Sequence, residues 1–153
     1  MKTAREILNN RVPYSVTVNK SVWDTLLYMK EVGVGAVAVL ESEKVVGIFS
    51  ERDLLKRIVL PGKDPHTTSI REVMTANPAV CAAEDLSHRC MEQMEQHHCR
   101  HLPVVDNGKL VGLLSMRDLL HEELEEAKHE LGHLHSYIHG YPTLSENPRA
   151  SAQ

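Results

Sequence analysis

Two stretches, Val45-Val-Gly-Ile-Phe-Ser-Glu-Arg-Asp-Leu-Leu55 and Leu110-Val-Gly-Leu-Leu-Ser-Met-Arg-Asp-Leu-Leu120, carry one pattern. Gly47, Ser50, Arg52 and Asp53 recur as Gly112, Ser115, Arg117 and Asp118 at a constant spacing of 65 residues (118 − 53). The 153-residue chain is therefore two copies of one unit. Such a repeat predicts a pseudo-symmetric fold with paired sites. Either half alone, at about 60 residues, would be marginally stable, so the halves are expected to share an interface.

Working outward, the first copy reads as a lead-in helix from Thr3 to Asn9 and a strand from Ser15 to Val18. A helix capped by Ser21 follows, with Val22, Leu26, Leu27, Met29 and Val32 as its apolar face. Gly33-Val-Gly35 ends it. Ala36-Val-Ala-Val-Leu40 is a continuous apolar run, hence a buried strand. Lys44 to Phe49 is the next strand, and Ser50 opens a helix to about Leu60. The second copy repeats this order. Ser69–Met74 echoes the lead-in, Ala79–Ala82 is the short strand, and Asp85–His97 is the helix with Leu86, Cys90, Met91 and Met94 inward. Leu102–Val105 and Lys109–Leu114 flank an Asp106-Asn-Gly-Lys109 hairpin. Each unit is β-α-β-β-α, an α/β (α+β) arrangement. The expected divisions are residues 1–64 and 65–121 for the copies, with Pro61-Gly-Lys-Asp-Pro65 as linker.

After Leu120 the symmetry stops. Leu120, Leu124, Ala127, Leu131, Leu134, Ile138 and Tyr141 are spaced 4, 3, 4, 3, 4, 3, a heptad seam in an expected helix over 122–141. That helix either packs on its own domain or dimerises. The residues from Pro142 to Gln153 read as a polar, frayed tail.

Net charge is −4 with scattered Lys and Arg, which argues against a nucleic-acid footprint. No apolar run approaches membrane-spanning length, and the N-terminus lacks a signal-peptide stretch, so a cytoplasmic protein is expected. Cys81, Cys90 and Cys99 form no CxxC pair and read as reduced thiols.

The repeated cluster has a definite chemistry. A helix N-terminus attracts phosphate, Arg52 can pair with it bidentately, and Asp53 is an acceptor suited to the two hydroxyls of a ribose. Gly47 permits close approach of a backbone or ligand. Ser-x-x-Asp is also a capping box, but capping demands neither the arginine nor the glycine.

With Arg100-His-Leu-Pro-Val-Val-Asp106 and the weaker Gly35-Ala-Val-Ala-Val-Leu40, each copy resembles a CBS motif, and the pair resembles a Bateman module. The resemblance covers roughly residues 1–121 and is strongest to small stand-alone bacterial two-CBS proteins. It implies two clefts related by a pseudo-twofold axis. These bind adenosine-containing ligands: AMP, ADP, ATP, NAD or S-adenosylmethionine. One cleft would use Ser50, Arg52 and Asp53, with Asn77, Pro78 and Ala79 around the adenine and Arg100 and His101 toward the phosphates. The other would use Ser115, Arg117 and Asp118, with Val12 and Pro13 around the adenine and Gly35 and Ala36 along the wall. Arg100-His101 corresponds to Gly35-Ala36, so the Asp53 cleft is expected to hold the more phosphorylated ligand, or to hold it more tightly. No nucleophile–base pair stands out beyond the zinc motif below, so a sensor without catalytic activity is expected, acting through an effector protein or through self-association; the resemblance further implies a homodimer.

One rival lies near the C-terminus. His129-Glu-Leu-Gly-His133 matches HExxH, and His139 stands where an extended zinc-peptidase motif places its third ligand. Ser136 occupies the position of the required glycine, and no methionine follows Met116. A zinc-binding protein, or a dimerisation protein without ligand, are the alternatives to the sensor.

Overall fold

The computed structural model describes residues 1–138. The first copy comprises α1 (Ala4–Leu8), β1 (Ser15–Thr17), α2 (Val22–Val32), β2 (Ala36–Glu41), β3 (Lys44–Ser50) and α3 (Glu51–Leu54). The second comprises α4 (Ile70–Val73), β4 (Thr75–Ala76), β5 (Cys81–Ala82), α5 (Ser87–Gln96), β6 (His101–Asp106), β7 (Lys109–Ser115) and α6 (Met116–Ile138). Both copies keep the β-α-β-β-α order, and the fold is α/β (α+β) as the repeat predicts. Met1–Leu119 form one compact unit, and a second begins at Leu120. Tyr141, His139 and the 142–153 tail lie outside the described residues.

Local chemistry sets the boundaries. Ser21 Oγ accepts the Asp24 N–H (3.1 Å), and Gly33 takes a left-handed φ of 74°, so α2 is closed at both ends. Thr3 and Glu6 cap α1 reciprocally, and the Ser69 N–H donates to Glu72 (2.9 Å) at α4. The second hairpin turns on Asn107 and Gly108, both at positive φ, as an Asn-Gly turn requires. In each copy a parallel pair, β1 with β2 or β5 with β6, is extended by an antiparallel hairpin to β3 or β7.

Some expected boundaries move. The helix after Ser50 is α-helical only to Leu54, and a π-helical turn covers Leu55–Val59. The helix expected from Asp85 starts at Ser87, because the Asp85 carboxylate instead accepts the Ala82 N–H (2.9 Å) in the preceding turn. Leu27 and Leu86 are exposed, whereas Thr25 is fully buried. The Thr25 hydroxyl donates to the Ser21 carbonyl (2.9 Å), which satisfies it within its own helix and lets a polar residue stand at a core position.

The two cores do not follow the repeat boundary. Ala4 and Leu8 of α1 pack with Cys81, Cys90, Met94, Leu102, Val104, Leu114 and Leu119 of the second copy. Ile70 and Val73 of α4 pack with Val16, Val22, Val37, Phe49 and Ile58 of the first. Backbone bonds tie the exchange: Ala4 N–H to the Asp85 carbonyl (2.8 Å), and Ile70 N–H to the Lys20 carbonyl (2.9 Å). Each half therefore completes its core with the other's lead-in, which is how two marginal half-domains become one unit.

This exchange explains the paired glycines. A Cβ on Gly47 would collide with Met74 Sδ and sit 3.0 Å from the Thr75 carbonyl oxygen; one on Gly112 would sit 2.7 Å from Leu8 Cδ1. The close approach expected at these positions is that of the other half's lead-in, not of a ligand.

Candidate functional site

The lead-in exchange carries β4 onto the outer edge of the first sheet, where Gly47 pairs with Ala76 and Ile48 with Thr75. The chain then turns at Asn77, whose φ of 48° suits asparagine better than most residues, and whose N–H donates to the Val46 carbonyl (3.1 Å). The second copy's Asn77, Pro78 and Ala79 are thereby set beside α3 of the first copy. A cleft of about 530 Å³ opens there. Its walls hold Ser50, Arg52 and Asp53 from one copy and Asn77, Pro78, Ala79, Arg100 and His101 from the other. All eight residues expected for this cleft are brought together. Gly35, assigned from sequence to the opposite cleft, lines this one. Ile48, Glu51, Thr75, His97, His98 and Cys99 line the cleft as well, and sequence reasoning did not place them there.

Asp53 is only 8% exposed. Its Oδ2 accepts the Ser50 N–H (2.9 Å) and lies 3.2 Å from the Ser50 hydroxyl, and its Oδ1 accepts the Thr75 hydroxyl (3.0 Å). Arg57 Nε stands 3.8 Å from Oδ1. The cap and the candidate ribose acceptor are thus one carboxylate, held by small hydroxyl groups that can rotate to share it.

The cleft's charge differs from the sequence expectation. Burial lowers the His101 imidazole pKa, with nearby Arg100 adding to that effect and Asp118 and Glu51 opposing it. At neutral pH His101 offers a hydrogen bond rather than a positive charge. Glu51 adds a carboxylate whose counterpart in the second copy is the neutral Met116. The electrostatic advantage expected from Arg100 and His101 is therefore partly offset. Burial also pushes the Cys99 thiol up, so it is no reactive thiolate.

The second cluster is built differently. The Ser115 N–H donates to Asp118 Oδ2 (2.8 Å), and Ser115 Oγ accepts the Asp118 N–H (3.0 Å), a complete capping box. Arg11 donates to both carboxylate oxygens, at 2.9 and 3.0 Å. Burial alone would raise the Asp118 pKa; the Arg11 and Ser115 hydrogen bonds outweigh it and hold the carboxyl below its ordinary value. Arg117, Val12 and Pro13 are exposed. Ala36 is buried and registered opposite Ser50 in the sheet.

On α6, His129 and His133 are exposed, with Nε2 atoms 2.9 Å apart. His139, the proposed third ligand, lies outside the described residues. Among those described, no group of three or more His, Cys, Asp or Glu side chains is arranged to hold a metal ion.

Comparison with known proteins bears on these paired half-sites. The family model described as "CBS domain" matches residues 4–60 and again 70–125. The chain belongs to the CBS domain family. Its structure resembles a putative signal-transduction protein with CBS domains from Burkholderia ambifaria, with a TM-score of 0.76 and 36% identity over 81% of this chain and 95% of that one. A CBS domain protein from Pyrobaculum aerophilum, solved in complex with AMP, has a TM-score of 0.70 and 29% identity over 76% of this chain and 89% of its own. The mitochondrial CBS domain-containing protein CBSX3 of Arabidopsis thaliana is 30% identical over 81% of this chain. The chain spans 63% of that relative's length.

Proposed function

We propose that the Asp53 cleft binds an adenosine-containing ligand and that the protein is a nucleotide-responsive regulatory module rather than an enzyme. The observation that carries this reading is the two-sided cleft. A buried carboxylate suited to a ribose faces Arg52, Arg100 and His101, which are suited to phosphate. The AMP bound to the Pyrobaculum protein supports the same class of ligand. AMP, ADP, ATP, NAD and S-adenosylmethionine share the ribose and adenine that these contacts address. A ligand touching α3 of one copy and Asn77–Ala79 of the other favours one packing of the halves, and an effector with different affinities for the two packings reads it. We place the protein in the cytoplasm, sensing energy status as a homodimer. No described helix is long and apolar enough to cross a membrane. The seam residues Leu120, Leu124, Leu131, Leu134 and Ile138 are exposed on α6, which supports self-association through that helix.

Thermal shift with each candidate ligand tests the reading. A ligand at a hundredfold excess over its Kd adds about 2.7 kcal/mol of stability, which is several degrees in Tm. A flat response to all five favours the dimerisation protein without ligand.

The state of His101 adds a pH signature. A phosphate beside His101 raises the imidazole pKa that burial has lowered. The complex then binds more protons than the free protein between those two values. Affinity for AMP is expected to rise as pH falls through that window, by up to about tenfold for each pH unit between the free and bound values. Because AMP's phosphate titrates nearby, calorimetry on His101→Gln isolates the protein's share; identical pH profiles would remove His101 from the phosphate site.

A further inference from the structure

We infer that Arg11 is an internal competitor for the second ribose acceptor and makes the Asp118 cluster the weaker of the two adenosine sites. The inference rests on the reading of these clusters as adenosine half-sites.

The two carboxylates are equivalent by the repeat, yet their partners differ in kind. Asp53 accepts one neutral hydroxyl from the other copy, Thr75, and its nearest guanidinium, Arg57, stands 3.8 Å off, beyond hydrogen-bond reach. Asp118 is met by a guanidinium that engages both of its oxygens in the fork geometry carboxylates bind best. A ribose diol needs those same two oxygens.

The difference originates in the lead-ins. Four residues separate Leu8 from Pro13, but three separate Met74 from Pro78. The shorter connection pairs with β3 as β4 and delivers Thr75. The longer one reverses through Asn9 and Asn10, both left-handed at φ 48° and 59°, and the Arg11 N–H closes onto the Leu8 carbonyl (3.0 Å). Leu8 is itself fixed against Gly112. Arg11 is thus carried to Asp118 by the same packing that joins the halves. Its side chain is 45% exposed against 18% for Asp118, so the arginine can withdraw into solvent while the carboxylate stays in place. Such a contact lowers affinity without abolishing it. An exposed bidentate pair corresponds to about a fivefold change in binding.

Calorimetric titration with AMP tests this in wild type, Arg11→Ala, Asp53→Ala and the double variant. In the Asp53→Ala background only the second cluster remains, and Arg11→Ala is expected to tighten AMP there about fivefold. In the wild-type background it should strengthen the weaker step and leave the stronger one unchanged. If Arg11→Ala leaves the weaker step unaltered, or weakens it, the inference is overturned and Arg11 serves the ligand or nothing. AMP bound by Arg11→Ala but not by wild type would support the competitor and overturn the Asp53 reading. No binding by any of the four would overturn both.

Discussion

Replacing Asp53 with alanine is expected to weaken AMP binding by at least about a hundredfold. Hydrogen bonds to a charged acceptor contribute about 1.5–3 kcal/mol each, and a ribose diol makes two. The expectation depends on preorganisation. Asp53 is nearly buried, fixed by the Ser50 N–H and the Thr75 hydroxyl, and needs no rearrangement to face the cleft. Because the same carboxylate caps α3, Asp53→Ala also costs about 1 kcal/mol of folding stability. Asp53→Asn separates the two effects. The amide oxygen keeps an acceptor for the Ser50 N–H, so stability is largely retained, while the anionic acceptor is lost and binding still falls. Calorimetry with parallel thermal denaturation reads both quantities. AMP affinity within twofold of wild type in either variant would move the adenosine site away from this cleft.

The half-units, their element order and the Ser50, Arg52 and Asp53 cluster were legible because a repeat converts local pattern into three-dimensional equivalence, whereas Asn77, Pro78, Ala79, Arg100 and His101 were legible only through the resemblance to CBS motifs. If two segments fold alike, their strand-to-helix junctions face related clefts. The exchange of lead-ins was not legible. It is made by Ile70, Val73, Ala4 and Leu8 packing into cores far away in sequence, and helical periodicity reports only that such residues are buried, not against what. Its one trace was the glycine in each strand, which marks a close approach without naming the partner. Thr75 and Glu51 were missed for related reasons. Thr75 belongs to a two-residue strand too short for any periodic signal, and Glu51 departs from the repeat instead of following it. Arg11 sits in a stretch whose length differs between copies, so matching one copy to the other by a constant spacing passes over it.

Gly47→Ala is expected to destabilise the unit by about 1–3 kcal/mol, the range for overpacking a filled core. It should lower Tm by several degrees and weaken AMP binding as well. The added methyl would meet Met74 Sδ and Cγ and the Thr75 carbonyl oxygen. A methionine side chain can turn aside, but the carbonyl is backbone of β4, and moving it displaces the strand that positions Thr75 and Asn77. Gly112→Ala makes the contrast. There the obstacle is the branched end of the buried Leu8 side chain, with no backbone carbonyl among the nearest contacts. Its cost should be the smaller of the two, and AMP binding at the Asp53 cleft should persist. Chemical denaturation with calorimetry on both variants measures the pair. Equal losses of stability, or unchanged binding in Gly47→Ala, would mean that β4 does not hold the cleft wall. The expected inequality instead identifies one glycine as the point where the joining of the halves and the shape of the site depend on the same small space between β3 and β4.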